Sequence, residues 1–294
     1  MKVTDAHGQG RPVYSFEFFP PKSDEAAETL MESVDDLKGM LAPDFVTVTY
    51  GAGGSTRART LECVTRIQTE HGIPSMAHLT CVGATVDEIR SVVDTLVERG
   101  IDNVLALRGD PPKGEEEFEA TEGGFEHADQ LIQFLADNYD LCIGAACYPE
   151  AHPESESLTS CLKWTKAKVD AGASFLTTQL FFDNQDYFDY VASARAIGIE
   201  VPIVPGIMPI TNVSQVERFT KMCGAKIPEA ILDRLRKYRD DPALVMAIGI
   251  EHAIEQCRDL LKRGAPGLHF YTLNKSHATR SILAAVKAHT SAGS

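Results

Sequence analysis

The chain has 294 residues, seven cysteines and a formal charge of −14, with 28 basic against 42 acidic side chains. That length suits one α/β barrel or two small domains with a large core, and the acidic balance argues against a nucleic-acid footprint or an anionic membrane surface as partner. No apolar run reaches the length of a membrane span, residues 1–11 lack a signal-peptide core and read as a flexible segment, and the cysteines are odd in number and irregularly spaced, so a cytoplasmic protein with buried free thiols is expected rather than a disulfide framework or zinc site.

The first element is the strand Ser15-Phe16-Glu17-Phe18-Phe19, stopped by Pro20-Pro21. Period-2 alternation would turn Glu17 to solvent between two core phenylalanines. The other reading is a lone carboxyl in apolar surroundings, where desolvation raises its pKa toward the range of a general acid. Residues 23–41 then carry apolar side chains at helical spacing with acids in the first turn, and FVTVTY over 45–50 is a strand closed by Gly51-Ala52-Gly53-Gly54. A helix over 56–70 and a strand over 75–81 repeat the unit. Thr85 and Glu88 form a capping box for the next helix, which Gly100 closes, and a strand over 103–107 runs into Arg108-Gly109-Asp110-Pro111-Pro112.

From there to Gly124 the acidic loop is long enough to be a lid or binding loop. Helix 127–138, strand 141–147, Tyr148-Pro149-Glu150-Ala151-His152-Pro153, a helix ending at Gly172 and strand 174–182 follow. After a helix over 187–197, PIVPGIM over 202–208 is a strand whose prolines imply bends. Residues 212–262 hold more than one helix, broken near Gly224 and at Asp241-Pro242, before the last strand, 268–273, and a final helix.

Eight alternating units with no composition break argue for a (β/α)8 TIM barrel over residues 12–288 as one domain with extra helices in its last third, and for a polar tail over 289–294. A doubly wound open sheet is the alternative. Unusual polar residues stand at the C-terminal ends of most strands (Thr49, His78, Arg108, Asp110, Tyr148, His152, Gln179, Asn274), which favours a barrel collecting them on one face. Gly51-Ala52-Gly53-Gly54 is no dinucleotide fingerprint, since Thr56 stands where the third glycine belongs, and Gly109 to Gly114 lacks the lysine of a P-loop. His78 with Cys81, or Cys142 with Cys147, has no second pair to complete a metal site. Arg108 and Asp110 serve either one ligand or a local ion pair; Tyr148 and His152 either stack on a flat ligand or pack a loop; Gln179 needs polar partners in its apolar strand.

Taken in order, SFEFFPPK, VTVTYGAGG, HLTC, LRGDPP, YPEAHPE, KVDAGA, TTQLFFD, VPGIMPITN and GLHFYTLNK resemble methylenetetrahydrofolate reductase from about residue 13 to 285. The resemblance implies a barrel carrying non-covalent FAD, reduced by NADH or NADPH, that converts 5,10-methylenetetrahydrofolate to 5-methyltetrahydrofolate in methionine biosynthesis, in a homo-oligomer without the eukaryotic-type regulatory domain. By the same resemblance Glu17 is the general acid that protonates N10 as the imidazolidine ring opens, and Asp110 stabilises the cationic iminium. Thr49, Tyr50, Ala52, His78, Arg108, Gly109, Asp110, Ala128, Tyr148, His152 and Lys168 match FAD-binding positions, with Arg108 and Lys168 facing the pyrophosphate. Gln179, Gln215, Phe219 and Lys275 match substrate-binding positions. The chain departs from the pattern at Cys161 (an aspartate in the family), Trp164 (small and polar), His127 (tyrosine) and Lys275 (often arginine). Cys161, Trp164 and Lys275 support the competing reading of a non-catalytic or partner-dependent flavin- or folate-binding subunit.

Overall fold

The computed structural model describes residues 1–50, 57–111 and 118–292. Nine parallel strands, β1 (Val13–Phe18), β2 (Phe45–Val48), β3 (Ser75–Thr80), β4 (Asn103–Leu107), β5 (Cys142–Cys147), β6 (Phe175–Thr178), β7 (Ile203–Val204), β8 (Gly206–Ile207) and β9 (Gly267–Tyr271), pair in the order β7-β6-β5-β4-β3-β2-β1-β9-β8. β7 and β8 are two halves of one strand interrupted at Pro205. Its first half pairs with β6 and its second with β9, so the sheet closes into a barrel through that residue. A proline has no N–H to give a ladder; here its carbonyl accepts from His269 N at 3.0 Å.

Helices α2 (Asp24–Leu41), α3 (Arg57–His71), α4 (Val86–Glu98), α5 (Ala128–Asn138), α6 (Leu158–Asp170) and α7 (Asn184–Ala196) follow β1 to β6 in turn, and α11 (Ser276–Ala292) follows β9. Their starts are set locally. Ser23 accepts from Ala26 N at 3.2 Å, Thr85 and Glu88 close the expected capping box, and Asp241 accepts from Ala243 N and Leu244 N ahead of Pro242 at the start of α10 (Pro242–Lys262). With α8 (Val213–Cys223) and α9 (Glu229–Lys237), α10 forms the extra helical layer, which has its own core of Leu180, Phe182, Met208, Ile210, Val216 and Leu235.

Alternation along the strands sorts the barrel into two cores. Phe16, Phe18, Val46, Val48 and Leu79 point outward onto Leu30, Val34, Val64 and Ile67 of the helices. Inside, at the N-terminal end of the strands, Phe45, Met76, Leu105 and Phe175 form an apolar floor with Val3 and Ala6. Those two belong to α1 (Val3–His7), whose Val3 N donates to Asn103 Oδ1 at 2.8 Å. The segment expected to be flexible therefore contains a helix docked beneath the barrel, because Val3 and Ala6 supply the apolar face that its polar composition hides.

Candidate active site

β1 lies between β2 and β9, and the register puts Glu17 beside Thr47 and Tyr271, and Ser15 beside His269. Since Phe16 and Phe18 face the helices, Ser15 and Glu17 face the barrel interior. There Glu17 Oε2 is 3.2 Å from His269 Nε2, and His269 Nδ1 is 2.8 Å from Ser15 Oγ. His78 Nε2 approaches the same oxygen to 3.4 Å but lies outside hydrogen-bond geometry; with Thr47 Oγ1 and Thr80 Oγ1 it is a buried polar atom without a hydrogen-bond partner among the described residues. The Glu17 side chain is 13% exposed and that of His269 2%, so the carboxylate is the end of this chain nearest a ligand. Its backbone is fixed by Thr272, whose N–H and hydroxyl both donate to Glu17 O, at 3.2 and 2.6 Å. Asn274 then exchanges two hydrogen bonds with the Phe19 backbone, at 2.7 and 3.0 Å, from a left-handed turn.

The expected lone carboxyl is thus not alone. Burial pushes Glu17 up, but the charges of His78 and His269 and the hydrogen bond from His269 outweigh it and hold the carboxyl below the usual carboxylate range. Burial lowers His78, against the pull of Glu17. Sequence reasoning missed His269 and Ser15, 254 residues apart. The available signal was a histidine two positions before Tyr271 in a strand otherwise apolar on its other face.

The remaining expected residues are spread over the strand ends and the helices that follow them. Arg108 makes a fork-to-fork pair with Glu154, at 2.6 and 2.8 Å, and its guanidinium sits 5.0 Å from the Phe118 ring centroid. Gly109 has φ +91°, and a Cβ there would meet Val82 Cγ1 at 2.7 Å, so only glycine fits. Asp110 is exposed and close enough to Tyr148 and His152 to act on both electrostatically; their rings meet edge to face at 4.7 Å. Thr49 O accepts from Thr60 Oγ1 at 2.9 Å, and the Tyr50 hydroxyl accepts from Arg57 Nε. Ala128 opens α5, and at its N-cap the His127 ring packs 4.7 Å from that of Trp164, which is half exposed. Cys161 is buried. Lys168 Nζ donates to Ala146 O on β5, and burial lowers its pKa. Ala52 lies outside the described residues.

Gln179 Oε1 accepts from Leu180 N at 2.9 Å, which satisfies one of its polar ends locally. Gln215 and Lys275 line one cleft of about 610 Å³ together with Arg218, His277 and Asn212. Phe219 lies beside it with its ring 5.3 Å from the Arg218 guanidinium.

Glu150, on the loop between Tyr148 and His152, accepts from Lys226 N at 3.0 Å, and burial together with Asp186 pushes its pKa up to about 7. The folded carboxyl binds its proton more tightly than the unfolded one. Its contribution to stability is therefore complete below about pH 4.5 and is lost as pH rises through about 7. After allowance for partial solvent screening this is on the order of 1 kcal/mol. Glu150→Gln is expected to flatten the decline in melting temperature between pH 5 and 8; an unchanged slope contradicts the assignment.

The sequence model of methylenetetrahydrofolate reductase matches residues 2–287. The chain belongs to this family. It is 42% identical over 293 residues to methylenetetrahydrofolate reductase (NADH) 1 of Zea mays, covering 96% of this chain and 49% of that protein. It is 37% identical over 277 residues to 5,10-methylenetetrahydrofolate reductase of Escherichia coli, covering 94% and 91%. The chain thus spans about half the length of the plant relative and nearly all of the bacterial one. Among solved structures, an uncharacterized protein from Clostridium thermocellum that binds two copies of 5-methyl-5,6,7,8-tetrahydrofolic acid superimposes with a TM-score of 0.64 at 16% identity, over 99% of both chains. That likeness is one of fold.

Proposed function

We propose that this protein reduces 5,10-methylenetetrahydrofolate to 5-methyltetrahydrofolate, using non-covalent FAD recharged by NADH or NADPH, with Glu17 as the general acid. The observation that carries the reading is a carboxylate buried in the mouth of this family's barrel, hydrogen-bonded to one imidazole and close to a second. A polar cofactor fits the surroundings. Thr80 Oγ1 and His78 Nε2 are buried polar atoms without partners among the described residues, and Gly109 keeps the adjoining turn free of a side chain.

His78, Gly109, Asp110, Tyr148 and His152 would hold the flavin end, with Thr49, Tyr50, Ala52 and Ala128 along its length. Arg108 would serve the pyrophosphate after exchanging its bond to Glu154. Lys168 would act from beneath, since its ammonium is directed at β5. When bound, FAD supplies the hydride. The chain's part is to place folate over Glu17, deliver a proton to N10 so that the ring opens, and set the Asp110 charge where the cationic iminium forms. Gln179 would contact folate and the nicotinamide, Phe219 would stack on the aminobenzoyl ring or the nicotinamide cofactor, and in the cleft Gln215 would contact the substrate and Lys275 would pair with a folate glutamate carboxylate.

The test is direct. Purified protein should be yellow, release FAD on denaturation, and oxidise NAD(P)H only with an acceptor; stopped-flow reduction of the flavin by each nicotinamide then assigns the donor. A colourless protein that takes up no FAD contradicts the reading.

A further inference from the structure

Resting on that reading of the reaction, we propose that the proton delivered by Glu17 is supplied by His269, a positioning residue held by Ser15, so that Ser15, His269 and Glu17 form one proton-donating chain. The geometry is continuous: Ser15 Oγ to His269 Nδ1 is 2.8 Å and His269 Nε2 to Glu17 Oε2 is 3.2 Å. Ser15 is fully buried and His269 nearly so, leaving Glu17 as the outlet.

The other groups around Glu17 do not fill this role. Tyr271, from β9, commits its hydroxyl to Thr178 O at 2.6 Å, and burial drives its phenol further from ionisation. His78, from β3, is outside hydrogen-bond geometry and is pushed by burial toward its neutral form. Thr47, from β2, offers only a hydroxyl, which is no acid at working pH. A carboxyl held below its usual range is by itself a poor store for a proton, whereas a histidine bonded to it keeps that proton one hydrogen bond away.

The step balances. With both ring nitrogens protonated, His269 donates Nδ1–H to Ser15 Oγ and Nε2–H to the Glu17 carboxylate. The Nε2 proton passes to Glu17 and from Glu17 to the substrate amine N10, as the bond from N10 to the methylene carbon breaks with its electron pair going to N10. His269 is left neutral, Glu17 is left the carboxylate it was, and solvent restores the Nε2 proton between turnovers. No oxidant or reductant beyond those of the reaction is needed.

The experiment compares wild type, His269→Gln and Ser15→Ala as FAD-loaded proteins in anaerobic stopped flow. It separates reduction of the flavin by NAD(P)H from its reoxidation by methylenetetrahydrofolate across pH. His269→Gln is expected to leave flavin reduction within about twofold and to slow reoxidation at least tenfold, part of the roughly 10²–10⁴ that acid catalysis supplies. The alkaline limb of the reoxidation rate should move down by about one pH unit or more, because Glu17 must then take its proton from solution. Ser15→Ala should move the same limb in the same direction by less. The solvent isotope dependence of reoxidation should be curved in wild type, where two successive proton transfers contribute, and linear in His269→Gln. Normal flavin absorbance and unaltered flavin reduction report that each variant is folded. An unchanged pH limb and isotope dependence in both variants overturns the proposal while wild-type turnover upholds the reaction. Wild-type flavin that NAD(P)H reduces but methylenetetrahydrofolate does not reoxidise overturns both.

Discussion

Replacing Glu17 by glutamine is expected to slow reoxidation of the reduced flavin by methylenetetrahydrofolate about 10³-fold, within the range that a positioned general acid contributes. Reduction of the flavin by NAD(P)H should change by no more than about threefold. The amide has nearly the shape of the carboxyl and its oxygen still accepts from His269 Nε2, so the inner layer stays packed, but no proton can leave it for N10. Hydride transfer from nicotinamide to flavin requires no proton on N10, which is why the two half-reactions should separate. Equal loss of both in anaerobic stopped flow would assign Glu17 to cofactor placement instead.

The second large effect is structural. Gly206 starts β8 immediately after the break at Pro205, and a Cβ there would stand 2.4 Å from Thr178 O and 2.7 Å from the Tyr271 hydroxyl. These are the two ends of a single hydrogen bond, 2.6 Å long, that ties β9 to the end of β6 across the closure. Gly206→Ala therefore overpacks the seam and separates a buried donor from its acceptor. Each effect costs on the order of 1–3 kcal/mol, so a loss of about 3 kcal/mol is expected in denaturant melts. The same substitution tilts Tyr271 beside Glu17, and reoxidation should slow with it. A variant that melts like wild type contradicts this account of the seam.

Elements whose limits are written in local chemistry were legible in the sequence. The capping box of Thr85 and Glu88, the apolar run 103–107 and the breaks at Gly224 and Asp241-Pro242 all reappear in the structure. What required partners distant in sequence was not. The prolines of 202–208 foretold a bend, but not that β7 and β8 would serve opposite edges of the closing sheet, which depends on strand order. Alternation separated Glu17 from Phe16 and Phe18 and turned it to solvent; closure of the barrel turns it to the interior instead, with both phenylalanines against the helices. Its electrostatics were misjudged because His269, which opposes desolvation, lies 252 residues away. Lys168 was legible as a cation, but its direction depends on the carbonyl of Ala146 that it meets.

Docking of α1 under the barrel closes its N-terminal end among the described residues. Val3 and Ala6 sit on the apolar floor formed by Phe45, Met76, Leu105 and Phe175, with Ser15, Glu17 and His269 above it. Among the described residues, exchangeable hydrogens in that layer therefore meet bulk water on the side of Glu17, the end that a ligand would cover. Isotope exchange at those positions becomes a gauge of occupancy, slowing whenever the mouth is filled, whatever chemistry then takes place there.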